Sequence, residues 1–188
     1  INNEPITEGN TWTSSTYLPG QTKKMALFAY APYMNTGISV ADGKGAPQLT
    51  YTIDSNVSNQ VDLLVANNVD VVGNSSSVAL DFKHALTAVK FSIGTITGFT
   101  KITKIVISGV KYSGTLSLDS DNWNLNDATA SYTIEKVIDL STTTTGDNIT
   151  GSSPDDLLLL MPQTFADGNA QLEVTMTNDN VTKTFSTL

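Results

Sequence analysis

Hydrophobic and polar residues alternate along residues 78–93 in two series that do not share one register. The series are the even-numbered Val78, Leu80, Phe82 and His84, followed by the odd-numbered Ala85, Val89, Phe91 and Ile93. Neighbouring side chains of a strand point to opposite faces, so a one-residue slip exchanges the buried face for the exposed one. We therefore expect the Phe82 side to be buried in one sheet and the chain to enter a second sheet after His84. This predicts a domain junction between His84 and Ala85.

The rest of the chain has the periodicity of short strands. Apolar or alternating runs bounded by turn residues occur at 11–17, 23–31, 49–53, 61–66, 102–110, 112–118, 132–138, 157–161, 172–176 and 181–185. The runs at 23–31 and 102–110 are apolar on both faces, which predicts interior strands, and the last two runs predict a terminal hairpin. Residues 153–156 resemble a helix start, but 157–161 suit a buried strand better and Pro162 would end any helix. Because 3.6-residue periodicity is nearly missing, the predicted fold class is all-β, built from antiparallel β-sandwiches.

Charge and composition exclude several classes of partner. The 188 residues have a net charge of −8, and all ten positive side chains are lysines. Nucleic acid and anionic membranes need clustered cations, and bidentate recognition of phosphate needs arginine, so we expect neither as a partner. The sequence has no cysteine, which excludes disulfides and thiolate chemistry. No apolar run approaches the roughly 18 residues of a spanning helix, so we do not expect the mature chain to span a membrane.

The candidates for reactive chemistry are weak. His84 is the sole imidazole, it lies within a predicted strand, and no nucleophile elbow or two-histidine metal motif accompanies it. Residues 119–127 are rich in aspartate and asparagine, but Asn124 and Ala130 replace the glycine and glutamate that an EF-hand loop requires. Residues 155 and 156 are adjacent aspartates, which in a strand face opposite ways. We predict no catalytic residue, no metal site and no cofactor.

Aromatic residues leave one alternative open. Trp12 and Trp123 could offer stacking platforms for sugars, as in a secreted carbohydrate-binding β-sandwich module. Aromatics interleaved with strand residues are more often part of a core. Both interpretations stay open at this point.

Several short motifs, in order, resemble one family. They are Phe82-x-His84-x-Leu86 leading into Val89, Phe91 and Ile93; residues 28–33, which end in Pro-Tyr; residues 62–66; residues 105–109 followed by Gly114; and residues 158–163, which include Pro162 and Gln163. Together they resemble the fimbrillin-like proteins of Bacteroidetes, in the type V pilin superfamily. The match extends over most of the chain, although each motif is short and mostly apolar.

The resemblance implies a fold and a function. It implies two transthyretin-like or immunoglobulin-like β-sandwich domains in tandem, at residues 1–84 and 85–188. It also implies export as a lipoprotein precursor and display in fimbriae at the outer membrane. Partners would be other fimbrial subunits, joined by donated β-strands, and a host glycan or protein receptor. The expected function is that of a non-catalytic fimbrial subunit or adhesin. An enzyme ranks last, behind the carbohydrate-binding module.

This sequence departs from the family pattern in three respects. It has no cysteine for lipidation, no arginine for the family's maturation cleavage, and no aromatic strand after residues 181–185. The first two departures agree with a chain that has already been trimmed. The third leaves strand donation by this chain untested.

Overall fold

The computed structural model describes residues 3–6, 13, 20, 23–34, 38–39, 46–73, 75, 77–153, 157–165 and 168–187. These residues form thirteen β-strands and two short 3₁₀ turns, Val57–Asn59 and Leu140–Thr142. The strands are β1 (Lys24–Ala31), β2 (Ile38–Ser39), β3 (Gln48–Thr52), β4 (Leu64–Val72), β5 (Lys83–His84), β6 (Thr87–Val89), β7 (Lys101–Lys111), β8 (Ser113–Ser117), β9 (Asn122–Leu125), β10 (Thr129–Asp139), β11 (Leu158–Leu160), β12 (Gln171–Thr177) and β13 (Thr182–Thr187). The predicted all-β class is confirmed.

The chain forms two compact units, and each is assembled from three segments. The first unit comprises Ile1–Tyr51, Asp62–Ala85 and Thr115–Asn124, and the second comprises Thr52–Val61, Leu86–Gly114 and Leu125–Leu188. The predicted boundaries, 1–84 and 85–188, concern domains that would fold independently, and they stay a prediction.

The first unit holds most of two sheets, with strand orders β1-β4-β5 and β2-β3-β8-β9. Leu49 and Leu63 are fully buried in it, and Leu116 is 1% exposed. Among the described strands β1 has a single neighbour, β4, and its residues are half-buried or exposed. Residues 23–31 were expected to be an interior strand, but in the described part of the chain β1 lies at a sheet edge.

The second unit is built on a four-stranded antiparallel sheet with the order β10-β7-β12-β13. Its central strand is β7, as the apolar character of both faces of 102–110 predicts. The smaller sheet of this unit pairs β6 with β11, whose three leucines are all buried. The predictions of a buried strand near 157–161 and of a terminal hairpin, formed by β12 and β13, are both confirmed.

A β-bulge at Gly109 shapes the central strand. Ala130 pairs with Val110 and Ser131 with Ser108, so Gly109 has no residue opposite it. Its φ is +73°, and a Cβ atom there would lie 1.9 Å from the backbone oxygen of Asn169. Only glycine fits, because the backbone conformation is left-handed and the turn before β12 passes directly over it.

The change of register after His84 is a change of sheet. Residues of β5 pair with β4 in the first unit, whereas β6 pairs with β11 in the second unit. The predicted change of sheet is confirmed, but the expected burial of the Phe82 side is wrong. Phe82 is 47% exposed and the side chain of His84 is 74% exposed. The alternation assumed a long paired strand, whereas only the two residues of β5 form a described ladder here.

Candidate functional site

The inward face of the four-stranded sheet is covered unevenly. Ile134, Ile105, Val174 and Phe185 lie in one row across its strands, from β10 through β7 and β12 to β13. Ile134 is 6% exposed and Ile105 is 3% exposed, but Val174 is only half-buried and Phe185 is 44% exposed. The core is therefore complete under β10 and β7 and incomplete under β12 and β13.

The layer that faces this sheet contains few strands. It consists of β6 and β11, and the β6 side continues as far as Ile93. The Ile93 N–H donates to the Asp147 carbonyl at 2.9 Å, and the Ile149 N–H donates to the Phe91 carbonyl at 2.8 Å. The two-stranded layer is narrower than the four-stranded sheet that it faces. Part of the inward face of the larger sheet therefore has no opposing strand in the described part of the chain.

An apolar groove of about 270 Å³ marks the uncovered part. Its apolar lining consists of Phe91, Ile93, Ile96, Ile102, Ile105, Ile149, Leu172, Val174, Met176 and Phe185. We call this set the apolar groove. The ring of Phe185 also packs edge-on against Phe99, with ring centres 5.5 Å apart. Apolar surface left facing solvent in this way is typical of an interaction site.

A free backbone edge runs beside the apolar groove. The backbone groups of Phe91 and Ile93 point to residues 146–150, where they find partners. Those of Lys90, Ser92 and Gly94 point the opposite way, since backbone direction alternates along an extended chain. Within the described residues, no backbone group hydrogen-bonds to these three. A free edge beside an apolar groove is the geometry that accepts an added strand.

The structure brings two residues of the predicted motif into this groove, Phe91 and Ile93. Val89 pairs with Leu158 at the end of β6, and Leu86 is 8% exposed. Phe82 and His84 belong to the first unit. The motif thus marks a change of sheet, and its functional role stays a prediction.

His84 has a structural environment in the first unit. Its Nδ1 contacts the Asp62 carboxylate, whose other oxygen is buried and has no described partner. Tyr51 is close to the same carboxylate, and burial together with the Asp62 charge raises the pKa of the Tyr51 hydroxyl. These contacts fasten β5 to the segment that precedes β4.

Gln163 hydrogen-bonds to the end of β7, beyond the residues of β7 that pair with β12. Its Oε1 accepts from the Lys111 N–H at 2.9 Å, and its Nε2 donates to the Lys111 and Met161 carbonyls at 2.9 and 3.2 Å. The amide therefore replaces a strand partner. Pro162, next to it, is exposed.

Of the two tryptophans, only Trp123 lies in the described part of the chain. Trp123 lies on β9, half-buried, and its indole N–H donates to the Ala85 carbonyl at 3.1 Å. Trp12 lies outside the described residues, as does most of the predicted strand at 11–17. A role for either ring in ligand binding stays a prediction.

The acidic stretch at 119–127 contains the turn between β8 and β9 and then β9 itself, Asn122–Leu125. Hydrogen bonds from the Ser117 and Ser120 hydroxyls lower the pKa of Asp119, and Asp121 forms an ion pair with Lys83. In the described part of the chain, no three side chains of the His, Asp and Glu type stand close enough to hold a metal ion. Residues 155 and 156 are outside that part.

Comparison with known proteins identifies the family. A model of the fimbrillin-like family matches residues 1–188. The chain belongs to the fimbrillin-like family. The search of curated proteins found no match to this fimbrillin-like chain. Among the helices of its described residues, none has the length and apolarity needed to cross a membrane.

Two crystal structures, each of a "putative cell adhesion protein", have folds similar to this fimbrillin-like chain. The protein from Bacteroides ovatus aligns with a TM-score of 0.59 at 20% identity, over 96% of this chain and 62% of its own. The protein from Bacteroides uniformis aligns with a TM-score of 0.50 at 22% identity, over 88% of this chain and 61% of its own. This chain therefore spans about three fifths of the length of each, and the likeness shows a shared fold.

Sequence reasoning missed most of the apolar groove. The run at 172–176 predicted one strand of the terminal hairpin, but it gave no sign that the inward face of this strand, with Leu172, Val174 and Met176, lacks a covering strand. Ser92 gave no signal either, because a free edge depends on which strands lie beside it in the fold.

Proposed function

We propose that this protein is a non-catalytic subunit or adhesin of cell-surface fimbriae, and that it assembles by accepting a β-strand from a neighbouring subunit. Membership of the fimbrillin-like family supports the fimbrial role. The observation that supports strand acceptance is the apolar groove beside the free edge of Lys90, Ser92 and Gly94. An added strand would hydrogen-bond to this edge and place alternate apolar side chains over Val174 and Phe185.

The chemistry of the second unit favours assembly over catalysis. The apolar groove is lined mainly by isoleucine, leucine, valine, methionine and phenylalanine side chains, which offer no nucleophile or base. The sole histidine of the chain is paired with Asp62 in the other unit. An interface that buries apolar surface and pairs backbone groups gains stability without any reactive side chain.

Two neighbouring lysine substitutions on β12 test strand acceptance. Val174→Lys places a cation on the inward face, where half-exposure lets the ammonium reach water and the fold survive. Thr175→Lys, the matched control, places the same cation on the opposite face. In the native cells, wild type and Thr175→Lys should enter high-molecular-weight surface polymers, detected by immunoblot and immuno-electron microscopy, whereas Val174→Lys should stay monomeric. Equal incorporation of the two variants would refute the proposed groove.

A further inference from the structure

A second cleft lies on the other side of the same sheet, along the edge strand β10. It has a volume of about 720 Å³. Its lining comprises Ser55, Asn56, Val57, Ser58, Lys104, Ser131, Thr133, Ile134, Glu135, Lys136, Ser152 and Ser153, all in the second unit. We call this set the serine cleft. Its volume lies in the range of small-molecule sites, and half of its twelve side chains carry a hydroxyl.

Part of this lining comes from the outward face of the sheet. Ile134 and Ile105 pair across the strands and are buried on the inward face. Thr133 and Glu135, their alternate neighbours on β10, therefore point outward, and Lys104 lies directly opposite Glu135 on β7. Lys104 and Glu135 carry opposite charges, and Lys136, the second cation of the lining, has an interaction of its own.

The opposite wall is held in shape by its own side chains. Asp54 Oδ1 accepts from the Asn56 N–H at 2.8 Å, and Asn56 Oδ1 accepts from the N–H and the hydroxyl of Ser58 at 3.1 and 2.8 Å. Val57 is 4% exposed and anchors the turn. Gln60 ties the loop to β11, since its Oε1 accepts from the Leu159 N–H at 2.8 Å. A wall that is already ordered loses little entropy when a ligand binds.

Several polar groups of the serine cleft have no partner among the described residues. They are the hydroxyls of Ser55, Ser131, Thr133 and Ser152, the Lys104 ammonium and the Glu135 carboxylate. A hydroxyl can donate one hydrogen bond and accept two. The cleft therefore presents mixed hydrogen-bond donors and acceptors, with two lysines and one glutamate among them.

From this arrangement we infer that the serine cleft binds a neutral oligosaccharide through hydrogen bonds. Sugar hydroxyls both donate and accept, which matches serine and threonine groups. A phosphate or nucleic acid does not fit, since the chain has no arginine and a net charge of −8. An added peptide strand fits poorly as well, because the turn Val57–Asn59 packs against β10 and limits access to its backbone edge. This inference goes beyond the proposed fimbrial role and is independent of strand acceptance.

The test is a glycan array probed with the full chain, followed by calorimetric titration of the best neutral oligosaccharide found. Thr133→Val removes a hydroxyl without changing shape, and loss of one uncharged hydrogen bond should weaken binding about fivefold. The double variant Ser131→Ala with Thr133→Val should weaken it by about 20-fold or more if the two losses are independent. Thr129→Val, the same change on the same strand but outside the cleft, is the matched control and should bind like wild type.

Three outcomes would overturn the inference. One is that no neutral oligosaccharide on the array is bound, including the case where only sulfated or sialylated glycans are retained. The second is unchanged affinity in the double variant. The third is a loss of binding in Trp123→Ala, with the serine-cleft variants unaffected, which would place the sugar on the tryptophan. None of these results bears on polymer formation, so glycan binding and strand acceptance are tested independently.

Discussion

The two edge strands of the four-stranded sheet, β10 and β13, are protected to different degrees. Beside β10 lies a loop with its own hydrogen-bond network, and the inward residues Tyr132 and Ile134 are 1% and 6% exposed. All six residues of β13 are exposed, including the inward-facing Phe185. One half of the sheet is thus closed and the other half is open, although both belong to one continuous ladder.

The difference between the edges at β10 and β13 helps to interpret the incomplete core under β12 and β13. A native sheet commonly hides its edges with a loop, a charge or a bulge, as at β10. The same unit leaves apolar side chains of β12 and β13 half-covered, next to a backbone edge at Ser92 that has no described partner. The proposed strand acceptance accounts for this contrast, because the chain builds edge protection at β10 and leaves open the side that a neighbouring subunit would complete.

The largest expected effect is at β7, the strand of the closed half that pairs with β12 of the open half. Gly109→Ala puts a methyl group 1.9 Å from the Asn169 carbonyl oxygen at a φ of +73°, so the turn before β12 must move. We expect a loss above about 4 kcal/mol in the free energy of unfolding, measured by urea denaturation. Gly168→Ala is the matched control, since its φ is +82° but nothing lies within 4 Å, and it should cost about 1 to 2 kcal/mol from backbone strain. Similar losses in the two variants would show that Gly109 is not held by close packing.

The second prediction compares the two halves directly. Ile134→Ala removes a side chain that is 6% exposed and should lower the free energy of unfolding by about 3 kcal/mol. Met176→Ala removes a side chain of about the same size from the half-buried face of β12 and should cost only about 1 kcal/mol. Urea denaturation of both variants and of wild type measures the two losses in the free energy of unfolding. If Met176→Ala costs as much as Ile134→Ala, the groove is part of a closed core and the contrast between the two halves fails.

Much of this sheet could be predicted from the sequence because its signals are local. Apolar residues on both faces of 102–110 marked β7 as central, and the Asn-Asp-Asn turn at 178–180 separates β12 from β13. In the folded protein, the Asn178 side chain accepts from the Asn180 and Val181 N–H groups at 3.1 and 2.9 Å. Turn chemistry and strand alternation act over a few residues, so a single sequence contains them.

Neither the open half nor the serine cleft could be predicted in this way. Ile105 and Val174 are similar side chains in similar alternations, yet one is 3% exposed and the other half-buried. The difference depends on which distant strand lies opposite each one. The serine cleft collects residues near 55, 104, 133 and 152, and serine or threonine on an outward face usually indicates only solvent exposure. The predicted burial of Phe82 was wrong for the opposite reason. Its segment has the alternation of a strand, but residues 78–82 lie in no described strand.

The smallest expected effect concerns Tyr132, at the centre of the closed half. Burial, with smaller contributions from Tyr112 and the Asp54 charge, raises the pKa of the Tyr132 hydroxyl from 10.0 to about 12. The hydroxyl is buried and has no hydrogen-bond partner among the described residues. Tyr132→Phe should therefore change the free energy of unfolding at pH 7 by no more than about 1 kcal/mol, in either direction.

The pH dependence of that variant makes the test of the closed half more specific. Below pH 10 the hydroxyl is protonated in both the folded and the unfolded chain, so its stabilising contribution is fully present. Between pH 10 and about 12 the unfolded chain loses this proton while the folded protein keeps it. The stability of wild type should therefore fall with pH in this window, by at most about 1.4 kcal/mol per pH unit from this group. Lysines titrate in both proteins, so the difference between their urea midpoints isolates Tyr132, and Tyr132→Phe should lose less stability. Parallel pH profiles would mean that water reaches the hydroxyl and that β10 is not as closed as its neighbours indicate.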